Sequence, residues 1–162
     1  MKILLTAQNT TFKIDQEDYE WVNKWTWHIS NTWGYISRPQ RFNGIQSTIS
    51  LHIEILKRMG FNMSNTEGDH IDRDITNNCR NNLRPVTRSQ NLLNRKLQSN
   101  NTTGYRNVSY NFRRGKYYAR IHITKNGKYK FLGYFNTVEE AALAYNKAAI
   151  IYHGEFAVLN EV

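Results

Sequence analysis

Residues 69–94 read DHIDRDITNNCRNNLRPVTRSQNLLN, a stretch that joins an adjacent Asp and His to several spaced asparagines. Hydrolysis of a phosphodiester needs a base for water and a group that stabilises the charge on phosphorus and the leaving oxygen. A histidine of ordinary pKa accepts a proton at neutral pH, and Asp and Asn oxygens suit a hard divalent ion. A helix is predicted over residues 87–97, after Pro85, and it contains Asn91.

This stretch resembles the ββα-metal motif of the HNH homing endonucleases, over roughly residues 51–96. The resemblance implies that Asp69 and Asn91 bind one divalent metal, Mg²⁺ or Mn²⁺, that His70 is the general base, and that Asn82 orients the His70 ring. The run NNLRPVTRSQN is typical of the family. Arg84 and Arg88 are predicted to hold the DNA backbone phosphate.

Three positions near the motif leave alternatives open. Many relatives have Asn-Gly-Asp after the His, where this chain has Asp72-Arg73-Asp74, so the turn is open to a different geometry. A shift of one position would give the orienting role to Asn81 instead of Asn82. His52 matches an upstream His of the family, and we favour a packing or hydrogen-bonding role for it over a metal-binding one.

The charge of the chain indicates a polyanionic partner. The 162 residues include 22 Lys and Arg against 13 Asp and Glu, a formal charge of +9 with a pI near 9.7. Residues 75–138 contain no Asp or Glu. Nucleic acid is the leading candidate for such a surface. No apolar run approaches the roughly 18 residues of a spanning helix, and one cysteine excludes an internal disulfide and a cysteine-rich zinc site.

The first part of the chain is predicted to form short strands over residues 2–6, 12–14, 25–30 and 35–39. A short helix is predicted over residues 15–22, with acids in its first turn, and Trp21, Trp25 and Trp27 are predicted to lie in the core. A second helix is predicted over residues 50–59, ending at Gly60. The polar run LQSNNTTG at residues 97–104 is typical of a linker.

The last part of the chain is predicted to be a sheet covered by one helix. Three strand-like runs, YRNVSY, GKYYARIHI and KYKFLGYF, are separated by polar turns, one of them Lys125-Asn126-Gly127. The helix opens with Thr137 and Glu140 at capping-box spacing and ends before Gly154. Its apolar side contains Val138, Ala141, Ala142, Tyr145, Ala149 and Tyr152. Side chains alternate along a strand, which leaves a basic face in solvent.

Residues 103–160 resemble the plant ethylene-response-factor (APETALA-two) DNA-binding domain, through YRNV, GKYYARI, FLGYFNTVEEAALAYNKAA and GEFAVLN. The resemblance implies that a three-stranded sheet enters the major groove of duplex DNA. Phe131 and Ser109 replace residues typical of the plant domains, so plant target sequences do not transfer. The predicted DNA contacts are Arg106, Arg113, Arg114, Lys116, Tyr118, Arg120, His122, Lys128 and Lys130.

The sequence as a whole predicts an α+β protein: an HNH nuclease domain over residues 1–96 (a β-rich part over 1–50 and the ββα-metal motif over 51–96), a linker over 97–104 and a DNA-binding domain over 105–162. We expect a monomeric, site-specific, homing-type endonuclease that nicks double-stranded DNA, without membrane contact, in the cytoplasm of a bacterial or phage-infected cell. Two alternatives stay open: a DNA-binding regulator with an inactive HNH fold, and a structured-RNA binder.

Overall fold

The computed structural model describes residues 1–123 and 127–162 and divides the chain into two compact units, Met1–Asn91 and Leu92–Val162. Antiparallel sheets and few helices confirm the α+β class. The predicted linker at residues 97–104 lies within the second unit and stays a prediction. No helix of the described ranges is long and apolar enough to cross a membrane.

The first unit begins with two small sheets and a short helix. Strands β1 (Lys2–Leu5) and β2 (Thr11–Ile14) form one hairpin. A 3₁₀ turn and helix α1 (Tyr19–Val22) follow. A second antiparallel sheet has the order β3-β4-β5. Its strands are β3 (His28–Ile29), β4 (Ile36–Phe42) and β5 (Ile45–Ser50).

A helix, a hairpin and the start of a second helix complete this unit, which ends at Asn91 within α3. Helix α2 (Leu51–Arg58) precedes strand β6 (Glu67–His70), which pairs antiparallel with β7 (Leu83–Val86). Helix α3 (Arg88–Leu93) comes next, so the element order β-β-α is the predicted one, although α3 ends four residues earlier than expected. The core is built from α2 and the strands around it: Phe12, Ile14, Val22, Trp27, Ile36, Leu51, Ile55, Leu56 and Leu83.

The sequence did not predict strand β5, and the strand predicted over residues 35–39 ends three residues before the end of β4 at Phe42. Asn43 and Gly44 both have positive φ angles, 49° and 78°, as a two-residue type I′ hairpin turn requires. Pro39 interrupts the strand pattern, yet it lies where β4 pairs only with β5, because β3 reaches no further along β4 than Ser37. A proline is tolerated there, since no partner needs its missing N–H.

The prediction that all three tryptophans lie in the core was wrong for Trp25. Trp27 is buried and Trp21 packs half-buried against it, with ring centroids 5.9 Å apart. Trp25 is 47% exposed, because it lies in the bend between α1 and β3 and outside the core cluster. The Arg38 guanidinium lies over its ring at 4.0 Å.

The second unit matches its predicted architecture. Strands β8 (Val108–Asn111), β9 (Lys116–Ile123) and β10 (Lys128–Phe135) form an antiparallel sheet, and helix α4 (Val138–His153) covers one side. Thr137 and Glu140 form the predicted capping box. Lys125 and Asn126 of the predicted turn lie outside the described residues. The core contains Val108, Ala119, Ile121, Ala141, Ala142, Tyr145, Ala148 and Ala149.

Candidate active site and nucleic-acid interface

The β6–β7 hairpin presents its residues on two different faces. Gly68 and His70 lie on one face, where a Cβ added to Gly68 would approach Cδ2 of His52 to 2.6 Å. Helix α2 therefore packs closely against this face, and only glycine fits at position 68. Glu67 and Asp69 alternate to the opposite face. Asp69 pairs across the hairpin with Arg84.

His70, the predicted base, is buried at the end of β6, with its Nε2 atom 3.2 Å from Oδ1 of Asn78. The Asn78 amide is fixed because its Nδ2 donates to the carbonyl of Ile75. The Asn78 oxygen can therefore only accept a hydrogen bond from Nε2–H, and this tautomer makes Nδ1 the basic nitrogen of the ring.

Burial lowers the pKa of His70 below its usual value. The bond to Asn78 and the carboxylates of Asp72, Asp69 and Asp74 act in the opposite direction, but burial dominates. The imidazole is therefore neutral at pH 7, the protonation state that a general base needs.

Asn82, predicted to orient His70, instead holds together the loop between β6 and β7. Its Nδ2 donates to Asp72 Oδ1 at 2.9 Å and to the Asn77 carbonyl at 2.7 Å, while its Oδ1 accepts from the Asp72 backbone at 3.0 Å. Asn78 is a hydrogen-bond partner of the His70 ring, and the orienting role of Asn82 stays a prediction. Asn81, the alternative, is exposed.

Asp72 is the hydrogen-bonding centre of the same loop. It accepts from the side chain of Asn77 and the backbone of Asp74 as well as from Asn82. Burial raises the pKa of Asp72, but these hydrogen bonds outweigh it and hold the pKa below its usual value. Arg73 takes a left-handed φ of 65°, a backbone conformation that glycine adopts more readily than a residue with a long side chain.

Long-range contacts attach this loop to the start of the chain. The backbone of Lys13 on β2 accepts from Asn78 and donates to Thr76, both at 2.8 Å. Arg80 donates from its backbone to Asp15 and from its guanidinium to the fully buried Asp18, at 2.8 and 2.9 Å. The position of Asn78 beside His70 therefore depends on residues more than 60 positions away in the sequence.

His52 packs against the predicted base. Its ring centroid lies 4.9 Å from that of His70 and 4.6 Å from that of Tyr35. Burial, reinforced by the neighbouring His70, lowers the pKa of His52 to about 3. The predicted packing role fits this geometry.

Asp69, a predicted metal ligand, is buried and bound by Arg84. Both Nε and Nη2 of Arg84 lie 2.9 Å from the same carboxylate oxygen, Oδ2. Arg84 was predicted to contact phosphate, but its observed partner is this carboxylate. Arg88 begins α3 with a side chain that is 83% exposed, and its Nη1 lies 3.7 Å from Glu67.

Asn91, the second predicted ligand, extends from α3 toward the same face. Its Nδ2 donates to Oε2 of Glu67 at 2.7 Å, two residues from Asp69 along β6. Across residues 1–123 and 127–162, no group of three or more His, Cys, Asp or Glu side chains has an arrangement that would hold a metal ion. A site based on Asp69 and Asn91 therefore needs water or phosphate oxygens as further ligands.

The C-terminal sheet has the predicted solvent face, and this face is aromatic as well as basic. Register places Tyr118 beside Tyr134, Arg120 beside Phe131, and His122 beside Tyr129. The Arg120 guanidinium lies over the Tyr129 ring at 4.7 Å, and that of Arg114 lies over Tyr134 at 4.8 Å. Arg113 and Lys116 are exposed at the β8–β9 turn beside them.

Three predicted DNA contacts are placed differently. Lys128 and Lys130 pair with Ile123 and Ile121, on the side that α4 covers, and Lys130 donates to the Tyr152 hydroxyl at 2.7 Å. Their alternation along β10 therefore directs them away from the aromatic face. Arg106 is half-buried, its backbone bound to Asn160 and its guanidinium to the Arg95 carbonyl.

Sequence reasoning missed Asn78 and Glu67 as neighbours of the site. Asn78 carried no distinguishing pattern among Asn77, Asn78, Asn81 and Asn82, because its contact depends on how the loop folds. Glu67 could have been found, since it alternates with Asp69 on a strand and must share its face.

Comparisons with known proteins find two kinds of relative. No family model matches. An uncharacterized HNH endonuclease of Acanthamoeba polyphaga mimivirus is 33% identical over 141 residues, which cover 87% of this chain and 70% of the relative. An ethylene-responsive transcription factor of Arabidopsis thaliana is 39% identical over 82 residues. An AP2-like factor of the same plant is 45% identical over 56 residues.

The two plant factors match only part of the chain, 48% and 35% of its length, and the chain spans only 19% and 10% of theirs. The viral relative is matched over most of both proteins, including the length that holds the β6–β7 hairpin and α3 in this fold. On that similarity the chain belongs to the HNH endonuclease family.

Proposed function

We propose that the protein is a DNA endonuclease that hydrolyses phosphodiester bonds with one divalent metal ion and His70 as general base. The observation that carries the proposal is the buried His70 ring, held by Asn78 at the end of β6 and directly following Asp69. A neutral imidazole fixed in one tautomer can accept a proton from the attacking water at physiological pH.

The oxygens on the Asp69 face fit Mg²⁺ or Mn²⁺. Asp69 supplies a carboxylate and Asn91 a carboxamide, and hard divalent cations prefer both kinds of oxygen. When bound, such an ion would stabilise the charge on the phosphorane and on the leaving 3′ oxygen. Arg84 holds Asp69 in place through contacts from Nε and Nη2 to Oδ2.

The remaining cations have different parts in this proposal. Arg84 positions Asp69, and its predicted phosphate contact stays a proposal. Arg88, exposed at the start of α3, is the better placed phosphate contact.

Proton transfer to His70 leaves a hydroxide to attack phosphorus, which predicts products with a 5′ phosphate and a 3′ hydroxyl.

We further propose that the C-terminal sheet supplies affinity for duplex DNA. Both kinds of relative carry names that indicate action on DNA or transcription. The solvent face of β9 and β10 combines Arg120 and His122 with four aromatic rings, and Arg114 from the β8–β9 turn lies over one of these rings. A major groove admits such a sheet. One nuclease site in a monomer favours nicking at a specific site, as expected of a homing-type enzyme in a bacterial or phage-infected cell.

The metal site is tested by cleavage assays with Asp69→Ala and Asn91→Ala. Asn65→Ala is the matched control, because Asn65 is exposed in the preceding loop. We expect both ligand variants to lose Mg²⁺- or Mn²⁺-dependent conversion of supercoiled plasmid to nicked circles, while Asn65→Ala retains it. Equal cleavage by all variants would refute this ligand pair.

A regulator with an inactive HNH fold is the second candidate, favoured by the similarity to plant transcription factors and by the Arg84–Asp69 ion pair. Duplex binding without cleavage at any metal concentration would establish it. Competition experiments with labelled duplex DNA distinguish the nuclease and the regulator from an RNA-binding protein. For an RNA-binding protein, unlabelled structured RNA would displace the labelled duplex more effectively than unlabelled duplex DNA does.

A further inference from the structure

Glu67 shares the face of β6 that carries Asp69, but the ligand pair of the proposed reaction does not include it. It is half-buried, and its carboxylate contacts two residues of α3. Asn91 Nδ2 lies 2.7 Å from Oε2, and Arg88 Nη1 lies 3.7 Å from Oε1. Glu67 therefore joins the hairpin to the helix that bears the second proposed ligand.

The hydrogen bond to Glu67 determines the orientation of the Asn91 carboxamide, because it directs the NH₂ group toward Glu67. A carboxylate only accepts hydrogen bonds, so it selects the NH₂ end of the carboxamide. The oxygen, on the other branch of the planar amide, is then directed away from Glu67. Without this acceptor, a rotation of about 180° would exchange the oxygen for the NH₂ group, which repels a cation.

Helix α3 needs such an attachment, because it has only six residues. A helix of this length is not stable by itself in water. Its first turn is capped by Thr87 and Gln90, whose side chains bind each other at 2.9 Å. That cap fixes the start of the helix, whereas the Asn91–Glu67 bond fixes the side chain that faces β6.

We propose that Glu67 is a positioning residue, which orients the Asn91 carboxamide so that its oxygen binds the divalent ion. This inference rests on the proposed nuclease site. It assigns Glu67 a role through its hydrogen bond and not through direct coordination. Partners that orient metal ligands in this way typically change metal affinity by about 10- to 100-fold.

The test measures Mn²⁺ binding to the full chain by electron paramagnetic resonance, without DNA, in the wild type and in Glu67→Ala, Glu67→Gln and Asp69→Ala. Glu20→Ala is the matched control, because Glu20 is an exposed carboxylate of the same unit. Circular dichroism confirms that each variant is folded. Gln keeps a carbonyl oxygen that accepts from Asn91 Nδ2 but removes the charge.

We expect Glu67→Ala to weaken Mn²⁺ binding about tenfold or more, Glu67→Gln to restore it to within a few-fold of the wild type, and Glu20→Ala to leave it unchanged. Unchanged binding in Glu67→Ala, with binding still lost in Asp69→Ala, would overturn the role of Glu67 alone. Equal losses in Glu67→Ala and Glu67→Gln would make the charge itself essential and would also overturn it. If the wild type binds no Mn²⁺, or binds it no more tightly than Asp69→Ala does, the proposed nuclease site is overturned as well.

Discussion

At the residue scale, the loop after His70 depends on one unusual backbone conformation. Arg73 has a φ of 65°, while the other non-glycine residues with positive φ in the described chain are Asn9, Asn43 and Asn107. Asparagine tolerates the left-handed region, whereas a long side chain is strained there by about 1 kcal/mol.

Arg73→Gly should therefore raise the free energy of unfolding by about 0.5–1 kcal/mol, measured by urea denaturation. The gain is limited because glycine also loses more entropy on folding. Arg73→Ala is the control, since it removes the guanidinium but keeps the Cβ. Equal stabilities of the Gly and Ala variants would show that the backbone is not strained at this position.

His52 should make the stability depend on pH. Its pKa is about 3 in the folded protein and near 6.5 in the unfolded chain, so the unfolded state binds more protons between these values. The free energy of unfolding should consequently fall as the pH decreases below about 6.5, by up to about 1.4 kcal/mol per pH unit from this group.

The comparison that isolates His52 uses urea denaturation from pH 6.5 to 5 in the wild type, His52→Gln and His28→Gln. The slope of stability against pH should become smaller in His52→Gln, while the histidine control should keep the wild-type slope. Parallel curves for all three proteins would rule out a strongly lowered His52 pKa.

At the element scale, helix α4 illustrates how a local pattern determines a boundary. Glu140 N donates to Thr137 Oγ1 at 3.2 Å, and Glu140 Oε2 accepts from Thr137 N at 3.3 Å. Thr137→Ala should cost about 1 kcal/mol of unfolding free energy, measured by denaturation followed by circular dichroism. Thr102→Ala, in an exposed turn, should cost almost nothing. A similar cost for both would contradict the capping role.

Elements defined by local chemistry could be predicted from the sequence, and contacts across the fold could not. The capping box, α2 with Gly60 after it, and the three C-terminal strands follow from residues close in the chain. The Asn43-Gly44 turn was equally local and was missed. Asn78 contacts His70 in a loop that is hydrogen-bonded to Lys13, and no spacing within residues 69–94 indicates this attachment.

At the scale of the whole molecule, the net charge of +9 should make DNA binding strongly dependent on salt. Each phosphate contact contributes about −0.9 to the slope of log K against log salt for duplex DNA. Arg120 lies on the exposed aromatic face, whereas Lys130 lies on the α4 side bound to Tyr152.

Arg120→Ala should therefore reduce the magnitude of this slope by about 0.9, the contribution of one phosphate contact. Lys130→Ala should leave the slope unchanged. Fluorescence anisotropy of a labelled duplex between about 50 and 200 mM salt measures both slopes. A larger loss in Lys130→Ala than in Arg120→Ala would place the DNA on the other side of the sheet.

The most direct test of the central claim is nicking of supercoiled plasmid or phage DNA by the wild type and His70→Ala, with Mg²⁺ or Mn²⁺ and a chelator control. His28→Ala is the matched histidine control, and duplex binding is followed in parallel. The account predicts metal-dependent nicking that disappears in His70→Ala while DNA binding persists. Undiminished nicking by His70→Ala, or duplex binding without cleavage by the wild type, would contradict it.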